Sequence, residues 1–146
     1  MAMTFSNPGG ILMLLVNLAY SIGAFFFDYS DTHVLNPRWP PHAKFHNGQT
    51  MSLGAMQAAL SIYLILRPTA NKTEKRDSLW LAALVGSLYC AAGLSAILYP
   101  GTKWADPEFA ANGEQKFIFG GCVVLIWAGY WVETRRLQHV KGHLMR

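Results

Sequence analysis

The stretch GGILMLLVNLAYSIGAFFF, residues 9–27, carries no charged side chain and is long enough to cross a bilayer as a helix. Three further uncharged, apolar runs follow at residues 50–66, 79–99 and 117–132. A helix needs about 17–25 residues to cross some 30 Å of hydrocarbon, so each run is interpreted as a transmembrane helix. The sequence therefore predicts an all-α protein, an integral membrane four-helix bundle.

The composition agrees with this fold class. Of the 146 residues, 52% are hydrophobic and only 14% are charged, which is too apolar for an ordinary soluble domain. The length suits one domain, so we expect residues 1–146 to form a single four-helix transmembrane domain. The second run is short, and a helix beginning near Pro41 extends it, because proline suits a first helical turn. The first run has no basic segment before it, which favours a retained helix over a cleaved signal.

The net charge of +4 has an uneven distribution that predicts topology. Positive charges gather on the cytosolic side of membrane proteins. The eight that follow the second and fourth runs are Arg67, Lys72, Lys75, Arg76, Arg135, Arg136, Lys141 and Arg146, and the four in the other loops are Arg38, Lys44, Lys103 and Lys116. This asymmetry predicts cytosolic termini and explains the basic balance without nucleic acid as a partner. We expect the membrane to be that of the endoplasmic reticulum.

Residues 28–49, DYSDTHVLNPRWPPHAKFHNGQ, concentrate polar side chains between two apolar runs and include three of the five histidines. Polar groups at the edge of an apolar bundle are costly to dehydrate, so a ligand, a reaction or a paired network usually holds them there. By the predicted topology, the acidic loop of residues 100–115 lies on the same side of the membrane. We expect the two loops to meet there and form the candidate site.

Two helical faces extend the polar character into the membrane. Viewed down its axis, the second helix carries a polar stripe within an arc of about 80°, and the first helix carries one within an arc of about 60°. The two sets are His42, His46, Gln49, Leu53, Gln57 and Leu60, and Asn17, Ser21, Ala24 and Asp28. Polar faces in a membrane bundle normally look inward, because lipid cannot satisfy their hydrogen bonds.

Several residues leave alternatives open. His42 and His46, at i and i+4, suit acid/base chemistry, a structural network or a metal, but the glutamate that zinc-binding helices carry between the two histidines is absent and Lys44 lies between them instead, so we expect no metal. Asp28 follows an apolar triplet, where apolar surroundings favour the neutral acid and a basic partner favours the carboxylate. Arg38 is the expected partner, with His33 and His46 behind it, and a structural salt bridge is the alternative. Asp31 suits either the site or a turn.

Other residues are expected to be structural. Glu133 precedes two arginines and is predicted to be solvated or interfacial. Cys90 and Cys122 are interpreted as small packing residues. Five glycines are expected to mark close helix contacts, with a homodimer interface as the alternative for some of them. These are Gly86, Gly93, Gly120, Gly121 and Gly129.

The run THVLNPRWPPHAKFH, residues 32–46, resembles a group of small four-span membrane proteins found mainly in fungi, some of them associated with polyketide and other secondary-metabolite pathways. The resemblance implies a membrane-bound epoxide hydrolase or cyclase that needs no cofactor. At the level of architecture, the chain is also similar to the emopamil-binding sterol isomerase type of bundle. The functional cluster that the resemblance implies is Asp31, His33, Asn36, Arg38, Trp39, His42 and His46.

The expected function is acid/base opening of an epoxide, by hydrolysis or cyclisation, in a lipophilic molecule that enters from the bilayer. A double-bond isomerase using the same pocket is one alternative, and a non-catalytic lipid-binding or scaffold subunit is another. A cavity that holds carboxylate and histidine together favours the enzyme, whereas a filled bundle favours the scaffold. The catalytic candidates are Asp28, Asp31, His33, His42 and His46, and the substrate-binding candidates are Asn17, Asn36, Arg38, Trp39, Gln49, Gln57 and Glu114.

Overall fold

A computed structural model describes residues 7–109 and 112–139, so Lys141 and Arg146 of the charge count lie outside the described residues. Four α-helices form the described chain, and each is long and apolar enough to cross a membrane, which confirms the predicted fold class. They are α1 (Pro8–Asp28), α2 (Pro41–Leu66), α3 (Lys72–Ser95) and α4 (Gln115–His139), with a short 3-10 turn at Ala96–Leu98. Both α1 and α3 pack against α2 and α4, and α1 and α3 face each other across the bundle.

Small residues bring the helices together. At one end of the bundle, a Cβ atom on Gly129 would lie 2.7 Å from the carbonyl oxygen of Gly9, and one on Gly9 would overlap the backbone of α4. Gly86 and Gly93 likewise have side chains of neighbouring helices against them, so three of the expected close contacts are confirmed. A close contact within the chain is wrong for Gly120 and Gly121, because no described atom lies within 4 Å of a Cβ built on either, and the homodimer alternative stays a prediction for them.

The same end of the bundle buries charge. Glu133 is 1% exposed and accepts hydrogen bonds from Arg136, with N–O distances of 2.6 and 2.8 Å. Lys75 is 2% exposed and donates to the carbonyl oxygen of Ile65 at 2.7 Å. The prediction that Glu133 is solvated is therefore wrong. The physical reason is Gly9, which has no side chain where the Glu133 Cβ packs.

Helix α3 begins seven residues before the apolar run at Leu79, because its polar first turn is capped. The Asn71 side chain accepts a hydrogen bond from the Glu74 backbone at 2.9 Å, and the Glu74 carboxylate accepts one from the Ala70 backbone at 2.8 Å. These reciprocal bonds satisfy backbone donors that the helix itself cannot. From its polar and charged residues, the sequence predicts a short solvated loop over residues 68–78; in the structure this stretch is largely helical, and Lys75 and Ser78 are buried.

At the opposite end, the loop after α1 contacts the loop before α4, as predicted. The Trp39 indole donates to Asp106 at 2.9 Å, and the buried Asn36 donates to Glu108 at 3.2 Å. Arg38 forms an ion pair with Glu108. The predicted pair between Arg38 and Asp28 is therefore wrong, because the acidic loop supplies a carboxylate that is nearer to the arginine.

Candidate functional site

A cavity of about 680 Å³ opens between α1 and α4 on the side of the two contacting loops. We call it the apolar chamber, since small and hydrophobic side chains form much of its wall. These include Ala19, Gly23, Ala24, Ile118, Phe119 and Cys122. Trp39 and Trp104 come from the loops that cover it. Trp104 rests on Gly113, whose φ of +77° is accessible to glycine, and a Cβ there would lie 2.8 Å from the indole.

Asp28 and His33 lie together in the wall of this chamber. Asp28 is the last residue of α1, and the turn that follows returns the chain so that the Val34 backbone donates to the Asp28 carbonyl at 3.2 Å. The His33 Nε2 then lies 3.8 Å from the Asp28 Oδ1, with side-chain exposures of 28% and 20%. Trp39 packs edge-on against the His33 ring at a centroid distance of 5.3 Å. Since Asp106 holds Trp39, the loop contact also positions the histidine.

A chain of hydroxyl groups fixes the proton on His33. The Ser30 hydroxyl donates its only proton to the Phe27 carbonyl at 2.6 Å, so it can only accept from Thr32, whose hydroxyl lies at 2.9 Å. The Thr32 oxygen must then accept from the His33 Nδ1 at 2.8 Å. A neutral His33 therefore turns an unprotonated Nε2 toward the Asp28 carboxyl group. The pair is favourable when it holds one proton, either on the carboxyl group or as an imidazolium facing a carboxylate.

A second cavity of about 580 Å³ lies between α2 and α3. We call it the amide chamber, because Asn47, Gln49 and Gln57 of α2 line it. Asp28 and His33 line both chambers, together with Tyr89 and Trp104. The carboxyl-imidazole pair therefore stands where an apolar and a polar chamber meet.

Asp31, His42 and His46 are exposed and line neither chamber. The Gln49 oxygen accepts from the His46 Nδ1 at 3.1 Å, which leaves the His46 Nε2 to accept from the His42 Nε2 at 3.0 Å. The two histidines thus form a network with Gln49 at the start of α2. No third histidine, cysteine or carboxylate joins them among residues 7–109 and 112–139 to make a metal-binding group.

The remaining predicted residues fall into three environments. Asn17 is fully buried in the helix core, where it donates to the Met13 carbonyl at 2.8 Å and accepts from Tyr20 at 3.2 Å. Asn36 and Arg38 are engaged in the loop contact described above, outside both chambers. Trp39 and Glu114 line the apolar chamber. Backbone N–H groups of Glu114 itself and of Asn112 bond the Glu114 carboxylate and lower its pKa.

The sequence profile of a family of unknown function, DUF6640, matches residues 13–143. This chain belongs to the DUF6640 family. Comparisons with curated proteins and with solved structures find no match. The site of this DUF6640 protein must therefore be interpreted from its own geometry.

Several residues of the candidate site in this DUF6640 protein were not predicted from the sequence. Asn47, which lines the amide chamber with Asp28, lies about 80° outside the predicted stripe of α2 when successive residues are placed about 100° apart. Tyr89 of α3 was not predicted as a site residue, and it lines both chambers. Lys103 and Trp104 also line both. The signal that points to the last two is the predicted contact between the loops.

Proposed function

We propose that this DUF6640 protein is a membrane enzyme that opens an epoxide in a lipophilic small molecule by acid/base catalysis. One observation carries the proposal: Asp28 and His33 lie 3.8 Å apart at the junction of two chambers. The volumes of about 680 and 580 Å³ suit an organic molecule of moderate size. The resemblance of residues 32–46 to the fungal four-span proteins supports natural-product biosynthesis as the setting, in the endoplasmic reticulum membrane.

The chemistry requires one proton to be given and one to be taken. His33, as the imidazolium, donates its Nε2 proton to the epoxide oxygen while one ring C–O bond breaks. The nucleophilic oxygen, from water or from a hydroxyl group of the substrate, forms the new C–O bond and gives its proton to the Asp28 carboxylate. Water yields a vicinal diol, and an internal hydroxyl yields a cyclic ether with a free alcohol. Release of the proton from Asp28 to water and uptake of a proton from water by the His33 Nε2 restore the starting state.

Positioning of the pair supports these roles. The hydroxyl chain through Thr32 keeps the His33 Nδ1 as a donor, so the proton that moves is the one on Nε2. At 3.8 Å the two groups are too far apart for a direct hydrogen bond, which leaves both available to the substrate. Asn47 lines the amide chamber beside Asp28 and adds a polar group there. No cofactor is required by this reaction.

The cavities favour an enzyme over a scaffold subunit. A scaffold is expected to fill its bundle and pair its polar groups, whereas here the carboxyl and imidazole groups face open chambers. A double-bond isomerase uses the same two groups to move a proton along a carbon chain, and its products differ from those of epoxide opening. Product analysis therefore separates the two reactions in one assay.

The test is turnover of a long-chain alkyl epoxide by the protein in nanodiscs. Asp28→Asn and His33→Gln should each lower kcat by about a hundredfold or more, the scale of general acid/base contributions. Each should also remove one limb of the pH–rate profile, because each removes one proton-transfer group. Product analysis by mass spectrometry should show a diol or a cyclic ether.

Two matched variants provide the control. Asp31→Asn changes a carboxylate that lies three residues further along and is exposed, and His46→Gln changes an exposed histidine. Both should retain turnover and the wild-type pH–rate profile. Full activity in Asp28→Asn and His33→Gln would refute the proposal, and inactivity of Asp31→Asn with active Asp28→Asn would move the reaction away from the chamber.

A further inference from the structure

The amide chamber holds two hydrogen-bond acceptors without a donor. Among the residues that the structure describes, the side-chain oxygens of Asn47 and Gln57 are buried and have no hydrogen-bond partner. Both residues line this chamber. A buried carbonyl oxygen without a partner is unfavourable and is uncommon in folded proteins. The chamber is thus suited to a ligand that brings donors.

The other polar groups on this wall of α2 are already engaged. The Gln49 oxygen accepts from His46 at 3.1 Å, and the Thr50 hydroxyl donates to the His46 carbonyl at 2.8 Å. The unpaired acceptors on this wall are therefore the side-chain oxygens of Asn47 and Gln57. Ether, ester and phosphate oxygens only accept hydrogen bonds and cannot pair with them, whereas a hydroxyl group can.

The two acceptors are far apart. Asn47 is beside Asp28, and Gln57 follows ten residues later, which places it about 15 Å further along the axis of α2. Between them the chamber wall is apolar, with Leu53 on α2 and Leu88 on α3. A ligand that reaches both must be elongated, with an apolar middle and a polar group at each end.

The donor at the deep end is best supplied by a hydroxyl group. A primary ammonium group within the membrane needs a carboxylate partner. Among the described residues lining the amide chamber, the carboxylate is that of Asp28, which lies at the other end. A neutral hydroxyl needs only one acceptor, and Gln57 provides it.

We infer that the substrate is an elongated lipophilic molecule with a hydroxyl group at the end remote from its epoxide, and that Gln57 accepts a hydrogen bond from this hydroxyl. The inference rests on the proposed epoxide opening for the position of the reacting end. It makes Gln57 a residue that determines specificity, while the Asn47 oxygen can accept a hydrogen bond from the second O–H of a nucleophilic water beside Asp28.

The test compares two probes, dodecane-α,ω-diol and its bis(methyl ether), which have similar lengths and differ in hydrogen-bond donors. Their dissociation constants are measured by titration calorimetry on the protein in nanodiscs of fixed lipid content. For each protein, the dissociation constant of the bis(methyl ether) is divided by that of the diol. Dividing this ratio for the wild type by the same ratio for Gln57→Met cancels differences in partitioning into lipid. This quotient should be about tenfold in favour of the diol, because one buried hydrogen bond is lost.

Gln49→Met is the matched control, since the Gln49 oxygen is already paired, and it should keep the wild-type preference. Gln57→Leu removes the same acceptor with another side chain and must behave like Gln57→Met. An equal preference in the wild type and in both Gln57 variants would overturn the inference.

Asp28→Asn separates this inference from the proposed function. Loss of epoxide turnover with a preserved diol preference supports both. Normal turnover in Asp28→Asn with a preserved preference refutes the proposed chemistry and retains the hydroxyl site at Gln57. If Asp28→Asn loses turnover but the wild-type protein shows no preference for the diol, the proposed chemistry is retained and the hydroxyl site at Gln57 is refuted.

Discussion

At the scale of single residues, the Thr32 hydroxyl group has the most specific task in the site, because it determines which nitrogen of His33 carries a proton. Thr32→Val keeps the side-chain shape and removes the acceptor for Nδ1. We expect kcat on the lipophilic epoxide to fall about tenfold, because the ring loses its fixed orientation and tautomer. The unfolding midpoint should change little, since the bond is only partly buried.

Thr32→Ser is the control for this prediction, because it restores the hydroxyl group. It should recover most of the lost turnover and the wild-type pH–rate profile, which a variant with a merely damaged loop would not do. Full turnover in the valine variant with a loss in the serine variant would mean that the methyl group of Thr32, and not its hydroxyl, positions the turn.

At the scale of helices, the contact between α1 and α4 depends on backbone approaching backbone. Gly9→Ala places a Cβ atom where the backbone of Gly129 and Glu133 lies, so the two helices must separate. We expect a loss of about 2 kcal/mol in unfolding free energy, as for other overpacked interiors. Unfolding of the detergent-solubilised protein by denaturing detergent, followed by circular dichroism, measures it.

Gly121→Ala is the matched substitution on α4, because no atom of the described residues lies within 4 Å of its Cβ position. Alanine favours a helix over glycine by about 0.5–1 kcal/mol, so this variant should be as stable as the wild type or slightly more stable. If Gly9→Ala were equally harmless, the close contact of α1 with α4 would not contribute to stability.

The sequence predicted the helices well where apolar runs define them and less well where polar residues do. The start of α2 at Pro41 was correct, whereas the first two turns of α3 were assigned to a loop because five of their residues are charged. Asn71 and Glu74 form the capping motif that identifies this start. The polar stripe of α2 was real but points about 120° away from the side packed in the core, so His42 and His46 are exposed.

At the scale of the whole molecule, the charge asymmetry predicts cytosolic termini, with the chambers opening on the lumenal side. Labelling by an impermeant maleimide in intact microsomes, whose outer face is cytosolic, tests this arrangement. In a background with Cys90 and Cys122 replaced by alanine, Thr73→Cys should react at once. Pro107→Cys, in the loop near the chambers, should react only after permeabilisation. The reverse pattern would invert the topology.

The contacts in the candidate site between residues far apart in the chain could not be predicted from the sequence. Asp28 and His33 belong to one short segment, so their proximity follows from the end of α1 and the turn after it. Glu108 reaches Arg38 from 70 residues further along the chain, and no local pattern shows that it displaces Asp28 as the partner. The second chamber is lined by residues of α2, α3 and both loops, so its shape is a property of the packed bundle.

The divergence of α1 and α4 also bears on kinetics. Their glycines meet at one end, and the apolar chamber opens between them at the other, where its wall includes Ala19 and Ile118, both of which are exposed on the flank of the bundle. A substrate arriving through this flank is dissolved in lipid, so the concentration that the protein encounters is a mole fraction in the bilayer. Adding protein-free lipid at constant total substrate would then dilute the reactant and slow turnover, although its bulk molarity is unchanged. Rates for such a protein follow surface-dilution kinetics and are comparable only at a stated lipid-to-substrate ratio.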